Sequence, residues 1–162
     1  MGFLKKFLGK TEGIQICAPC AGRVLPLREV KDPTFSSGIL GQGAAIVPSD
    51  GNFYAPSDGT VSTVFPTGHA AAIRTAAGAV VLLHIGLDTV KLKGEYFTIH
   101  AEEGQQVKKG DLLLEADLEA IRAAGYDTIT PIVISNFEDY EKIEMSAAKE
   151  VSVGDEILRL IK

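Results

Sequence analysis

The sequence predicts an all-β fold, an antiparallel sandwich of barrel-like character built from duplicated turn-strand units with one or two short helices. Three observations carry this expectation. From Gly13 onward, short runs rich in Val, Ile, Leu and Thr are bounded by Gly, Pro, Asp and Ser. The 17 glycines and seven prolines stand between those runs, which leaves little room for helix. Two motifs also occur twice. Ala18-Pro-Cys-Ala-Gly-Arg-Val24 repeats as Ala55-Pro-Ser-Asp-Gly-Thr-Val61, and Val107-Lys-Lys-Gly-Asp-Leu-Leu-Leu114 repeats as Val151-Ser-Val-Gly-Asp-Glu-Ile-Leu158. In each motif Gly permits the backbone to reverse before a strand. Two copies of each imply a duplicated compact domain and not a solenoid.

In chain order, strands are expected at 14–17, before the first Ala-Pro turn, and at 23–27, after it. The next lie at 43–47, ended by Pro48, at 53–55 and 60–65, separated by the second Ala-Pro turn, and at 70–75 and 79–85, separated by Ala76-Ala-Gly78. Further runs at 106–107 and 112–117 flank the first Gly-Asp turn, 131–135 follows Thr130, and 157–161 follows the second Gly-Asp turn. Between 117 and 125 a helix is marked at both ends: Asp117 can cap it, Leu118 and Ile121 share a face, and Gly125 can end it. A second helical turn is expected near 136–141.

Length and charge narrow the function. A chain of 162 residues is one ordinary domain, able to bury roughly 70% of its unfolded surface without disulfide or metal. Lys+Arg 16 against Asp+Glu 21, with no Trp, excludes a nucleic-acid binder, although an acidic surface can steer in a basic protein partner. No apolar run approaches the ~18 residues of a membrane span. Cys17 and Cys20 form a C-x-x-C, but turn and strand residues follow where a redox motif needs a helix, so two structural thiols are expected. With no signal peptide, the expected compartment is the reducing cytoplasm. Residues 1–12 are read as a tail and 13–162 as the domain. Phe3, Leu4, Phe7 and Leu8 oppose Lys5, Lys6 and Lys10, a small amphipathic segment suited to weak contact of residues 1–10 with an anionic membrane.

The chemistry-bearing residues are histidines. Residues 67–84 read as a hairpin, and with a two-residue tip at Ala76-Ala77, His69 stands directly opposite His84, their Cβ atoms about 5 Å apart on one face. A register one residue off pairs His69 with Ile85 and sends the two rings to opposite faces. Two convergent imidazoles can be a metal half-site, an acid/base pair, or a nucleophile with a helper. Asp88 makes an H-x-x-x-D with His84, but on a strand that spacing is about 13 Å, too far for one ion unless the chain turns at Gly86. There is no His-x-His as in a lysostaphin-type zinc hydrolase, no nucleophile-elbow Ser, no phosphate-binding glycine loop, and no hairpin-tip lysine of a biotinyl carrier. A neutral imidazole nucleophile on a shallow apolar surface suits phosphoryl transfer between proteins. His100 has no such partner and is expected to be structural.

The run Val81-Leu-Leu-His84-Ile-Gly-Leu-Asp-Thr-Val-Lys-Leu-Lys-Gly94 resembles the signature of the glucose-family IIA component of the bacterial phosphoenolpyruvate-dependent sugar phosphotransferase system. Thr67-Gly-His-Ala70, Ala55-Pro-Ser-Asp-Gly-Thr60, Ala101–Asp111 and Thr130-Pro-Ile-Val-Ile-Ser-Asn136 resemble it too, so the similarity covers nearly all of 13–162. The resemblance implies that His84 accepts a phosphoryl group from the histidine-containing phosphocarrier protein and passes it to a cysteine of the permease's IIB domain. It implies that His69 assists, oriented by Thr67, and that Asp88 and Asp32 pair with arginine on the donor. Phe35, Ile39, Leu40, Phe65, Leu82 and Val90 match the apolar ring on which partners dock. No cofactor or resident metal is implied. In some members the unphosphorylated form regulates other proteins, in places through a zinc ion bridging the residues that match His69 and His84. Leu82 stands where some members have an aromatic, and Ala71-Ala72 makes the ledge near His69 smaller; both bear on partner preference.

Overall fold

The structure is a computed structural model that describes residues 13–146 and 149–162. The expected amphipathic tail, 1–12, lies outside the described residues. Fourteen strands are present among them: β1 Ile14–Cys17, β2 Gly22–Pro26, β3 Gln42–Pro48, β4 Asn52–Tyr54, β5 Gly59–Val64, β6 Ala70–Thr75, β7 Val80–His84, β8 Phe97–Ile99, β9 Gln106–Val107, β10 Leu112–Ala116, β11 Thr130–Ile134, β12 Lys142–Met145, β13 Glu150–Val151 and β14 Glu156–Ile161. Two short helices join them, α1 Pro33–Ser36 and α2 Leu118–Ala123. Every expected strand is there, with ends moved by a residue or two. Asp117 caps α2 by accepting from the Ala120 N–H at 3.1 Å, and the expected second helical turn is a 3-10 turn at Phe137–Asp139. Strands β8, β12 and β13 and helix α1 are additions to the expected list.

The eight-stranded sheet runs β13-β2-β3-β11-β7-β6-β5-β9, and two three-stranded sheets run β1-β14-β12 and β4-β10-β8, all antiparallel. The eight-strand order becomes its own reverse when β13 is matched with β9, β2 with β5, β3 with β6, and β11 with β7. The match extends to single hydrogen bonds. Ala18 N–H donates to Asp155 O and Gly154 N–H to Ala18 O; likewise Ala55 N–H donates to Asp111 O and Gly110 N–H to Ala55 O. Gly110 and Gly154 adopt φ 93° and 92°, and both following aspartates accept, at 2.8 Å, from the N–H three residues back, Lys108 or Ser152. The repeated motifs are therefore repeated structure, related by an approximate two-fold axis through the β7–β11 pair Leu83↔Ile132. Where the halves meet they exchange equivalent bonds, Cys17 N–H to Pro56 O and Tyr54 N–H to Pro19 O.

Alternation along the central strands faces Val81, Leu83, Ile132, Ile134, Ala44 and Ile46 into the main core, together with Ile16, Phe53, Leu113, Leu114 and Ile157 from the smaller sheets. The opposite face of the same strands carries a second cluster: Ala45 and Val133, flanked by Leu82, are covered by Leu27, Val30 and Phe35 from the connection between β2 and β3. His84 shares the face of Leu82 and so lies at the margin of this second cluster. Cys17 and Cys20 are free and buried, and burial pushes both thiols up, Cys20 to about 12.

Candidate functional site

The site grows out of the β6–β7 hairpin. Gly78 N–H donates to Thr75 O at 2.9 Å, Thr75 N–H to Ala79 O at 2.8 Å, and Gly78 takes φ 98°. This is a three-residue tip, a type I turn followed by a left-handed glycine. The extra residue shifts the register by one: His84 pairs with Ala70, and Ile85 N–H donates to His69 O at 2.7 Å. The expected direct opposition of His69 and His84 is thus corrected. The consequence expected of that shift, rings on opposite faces, does not follow, because His69 lies outside the strand. Gly68 at φ 74° ends a turn closed by Gly68 N–H to Phe65 O, so strand alternation does not govern the His69 side chain. The two imidazole centroids are 4.9 Å apart and nearly perpendicular, at 83°. Ala70 pairs with His84 and Ala72 with Leu82 on this face, whereas Ala71, expected to shape the ledge, packs into the main core.

The hydrogen bonds of the rings define their chemistry. His84 Nδ1 is 2.8 Å from the Gly86 carbonyl, which can only accept, so Nδ1 carries the proton and Nε2 keeps its lone pair. His69 Nδ1 is 2.6 Å from Thr67 Oγ1. Burial first, and then the neighbouring His84, lower the His69 pKa to about 4. Burial also lowers that of His84, opposed in part by the bond to Gly86 and by Asp32 and Asp88. Both rings are neutral at pH 7. His69 is only 2% exposed, whereas His84 is half-buried, so His84 is the ring a partner can reach.

Around the pair, Phe35 packs on His84 at 4.9 Å and Phe65 meets His69 edge-on at 5.3 Å. Asp32 caps α1 through Thr34 N–H, and Asp88, exposed at φ 61°, precedes a 3-10 turn at Thr89–Leu92. Ile39 is 76% exposed and Val90 49%; Leu40 and Phe65 are exposed as well, and Leu82 is half-buried. Phe35, by contrast, is 4% exposed and forms the wall behind His84. Sequence reasoning missed three members of the site: the Gly86 carbonyl, Thr89, and Phe97, whose ring lies 6.5 Å from His69. Positive φ at Gly86 and Asp88 was foreshadowed by Gly and Asp, but Phe97 arrives from β8 and had no local signal. His100 sits away from the pair, exposed, with Nε2 3.3 Å from Glu115.

Among the described residues, no group of three His, Cys, Asp or Glu converges as a metal site. The arrangement is a reachable, unprotonated Nε2 beside a second, shielded imidazole.

Comparison with known proteins places this geometry in context. Residues 14–140 match the family described as phosphoenolpyruvate-dependent sugar phosphotransferase system, EIIA 1. The chain is 46% identical over 154 residues to the PTS system beta-glucoside-specific EIIBCA component of Halalkalibacterium halodurans, covering 95% of this chain and 24% of that longer protein. It is 44% identical over 147 residues to the glucose-specific EIIA component of the same organism, covering 91% of this chain and 85% of the relative. The solved structure of glucose permease IIA from Mycoplasma capricolum superposes with a TM-score of 0.82 at 36% identity, over 91% of this chain and 95% of that one. The chain spans about a quarter of the length of the multidomain relatives that it matches.

Proposed function

The chain belongs to the EIIA family of the phosphoenolpyruvate-dependent sugar phosphotransferase system, as a glucose-type IIA component, and from that premise we propose that His84 is the residue that carries the phosphoryl group. The observation that supports this best is the Gly86 carbonyl on His84 Nδ1, which leaves Nε2 with a free lone pair on a half-buried ring. In the proposed first step, Nε2 attacks the phosphorus of a phosphohistidine on the histidine-containing phosphocarrier protein. The donor's N–P bond breaks, its electron pair stays on the donor imidazole, and an Nε2–P bond forms. In the second step, a IIB cysteine thiolate attacks phosphorus and the Nε2–P pair returns to His84.

His69 supports both steps by donating a hydrogen bond from Nε2–H to a phosphoryl oxygen, with the Thr67 hydroxyl donating to its Nδ1. Asp32 and Asp88 attract a cationic rim on the donor, and Ile39, Leu40, Phe65, Leu82 and Val90 offer the apolar contact beside it. The unphosphorylated form would also bind and regulate other proteins. The two imidazoles supply two ligands at most, so a zinc ion bridging them would need its remaining ligands from a partner. Among the described residues no helix is long and apolar enough to cross a membrane. The proposed place of action is the cytoplasm, with residues 1–10 as a weak membrane contact.

Incubation with the phosphorylated carrier protein tests the reading. Wild type and His69→Ala should take up label and His84→Ala should not; label persisting in His84→Ala overturns it. His69→Ala should pass label to the IIB domain slowly, and normal transfer would remove its helper role.

A further inference from the structure

We propose that Thr89 is a positioning residue that selects which nitrogen of His84 receives the phosphoryl group; the inference rests on the carrier reading above. Thr89 is fully buried, and its hydroxyl donates to the Ile85 carbonyl. Ile85 in turn donates its N–H to His69 O at 2.7 Å, so the two peptides of one residue tie Thr89 to the backbone behind both histidines. Two residues further on, Leu87 N–H donates to Asp127 O at 3.0 Å. The Gly86 carbonyl lies between these two anchors. Gly86 is itself confined: at φ 78°, a Cβ there would stand 2.6 Å from the Thr89 methyl and 2.8 Å from Asp127 O.

Residues 85–89 thus form a closed clamp with one orientation for the Gly86 carbonyl, the orientation that meets His84 Nδ1 at 2.8 Å. Removing the Thr89 hydroxyl leaves a buried carbonyl without its donor and frees the left-handed positions Gly86 and Asp88 to turn. The Nδ1 proton then loses its fixed acceptor, and the ring samples the tautomer in which Nε2 bears the proton and has no lone pair to attack with.

The test compares Thr89→Val, equal in shape but without the hydroxyl, with Thr89→Ser, which keeps it. Nitrogen-15 NMR of the imidazoles at pH 7 should show a single Nδ1–H tautomer of His84 in wild type and Thr89→Ser, and a mixture in Thr89→Val. After phosphorylation by the donor carrier, phosphorus NMR should place the group on Nε2 in the first two. Thr89→Val should accept it about tenfold more slowly, the effect of one net hydrogen bond. If valine unfolds the chain in a thermal melt, the smaller Thr89→Ala takes its place in every arm. A wild-type tautomer and rate in the hydroxyl-free variant, or loss of the tautomer in the serine variant, overturns the proposal. The tautomer readout needs no donor, so it stands apart from the carrier reading, which fails instead if wild type is not labelled at His84.

Discussion

At His69, burial and the neighbouring His84 ring act in the same direction, and together they hold the pKa at about 4 against an ordinary value near 6.5. Between those two values the unfolded chain binds the proton that the folded chain refuses. The resulting stability is complete above pH 6.5 and is lost as pH falls toward 4. The urea midpoint should therefore drop between pH 7 and pH 4.5, and the drop should be smaller in His69→Gln. An NMR titration should place the midpoint of His69 near 4 and that of His84 below 6.5; a midpoint for His69 at 6.5 would contradict the shielded ring described above. Both shifts run downward and keep the two rings neutral through the physiological range, so under the proposed function His84 needs no deprotonation before attack.

At the scale of elements, the β6–β7 hairpin is held in register from outside. Asn136, just past β11, accepts from Val80 N–H at 2.9 Å and donates to Gly78 O at 3.0 Å. Asn136→Ala should destabilise the fold by about 1–3 kcal/mol, the cost of leaving buried or half-buried backbone groups unpaired. Amide exchange at Gly78 and Val80 should accelerate ahead of the β11 core, and uniform acceleration would argue against a local clamp. The register also marks where sequence reading stops. A long apolar run such as β11 declares itself because both faces are covered, and β7 does so because even its outer face is half-buried. The convergence of His69 and His84 on one site was legible from the family signature, whereas their spacing alone gave a register one residue off. Gly78 adds its residue to the tip only through a left-handed turn, a choice that Ala-Ala-Gly does not announce. Strands β8 and β13 are too short to carry a pattern. In β12, Lys142 and Glu144 are exposed, leaving a weak apolar alternation. Phe97 reaches His69 only because β8 pairs with β10, a contact that no local window contains.

Over the whole molecule, one of the two related halves, β4 to β10, is inserted between β3 and β11 of the other, and the two trade hydrogen bonds at Cys17/Pro56 and Tyr54/Pro19. The half made of β1 to β3 and β11 to β14 is completed only around the inserted one, so unfolding should be a single transition. Tyrosine fluorescence and far-UV circular dichroism should give coincident urea curves, and separated midpoints would show that the halves melt independently. Such non-local pairing also favours folding in milliseconds to seconds. The halves differ at their equivalent connections. The β5-to-β6 connection, 65–69, carries His69, and the β2-to-β3 connection, 27–41, folds over the sheet and brings Phe35 and Asp32 to His84.

The two-fold axis at Leu83↔Ile132 assigns His84 a twin, Val133, whose pairing with Gly43 matches that of His84 with Ala70. Val133 also pairs directly with Leu82 on the face that bears His84, so the twins are diagonal neighbours, roughly 7–8 Å apart. A symmetric ancestor loaded at both positions would have set two phosphate dianions within that distance, where their repulsion is large. With one twin capped by aliphatic packing and the other open, a fold made of two like parts has, under the proposed function, a single place for that charge.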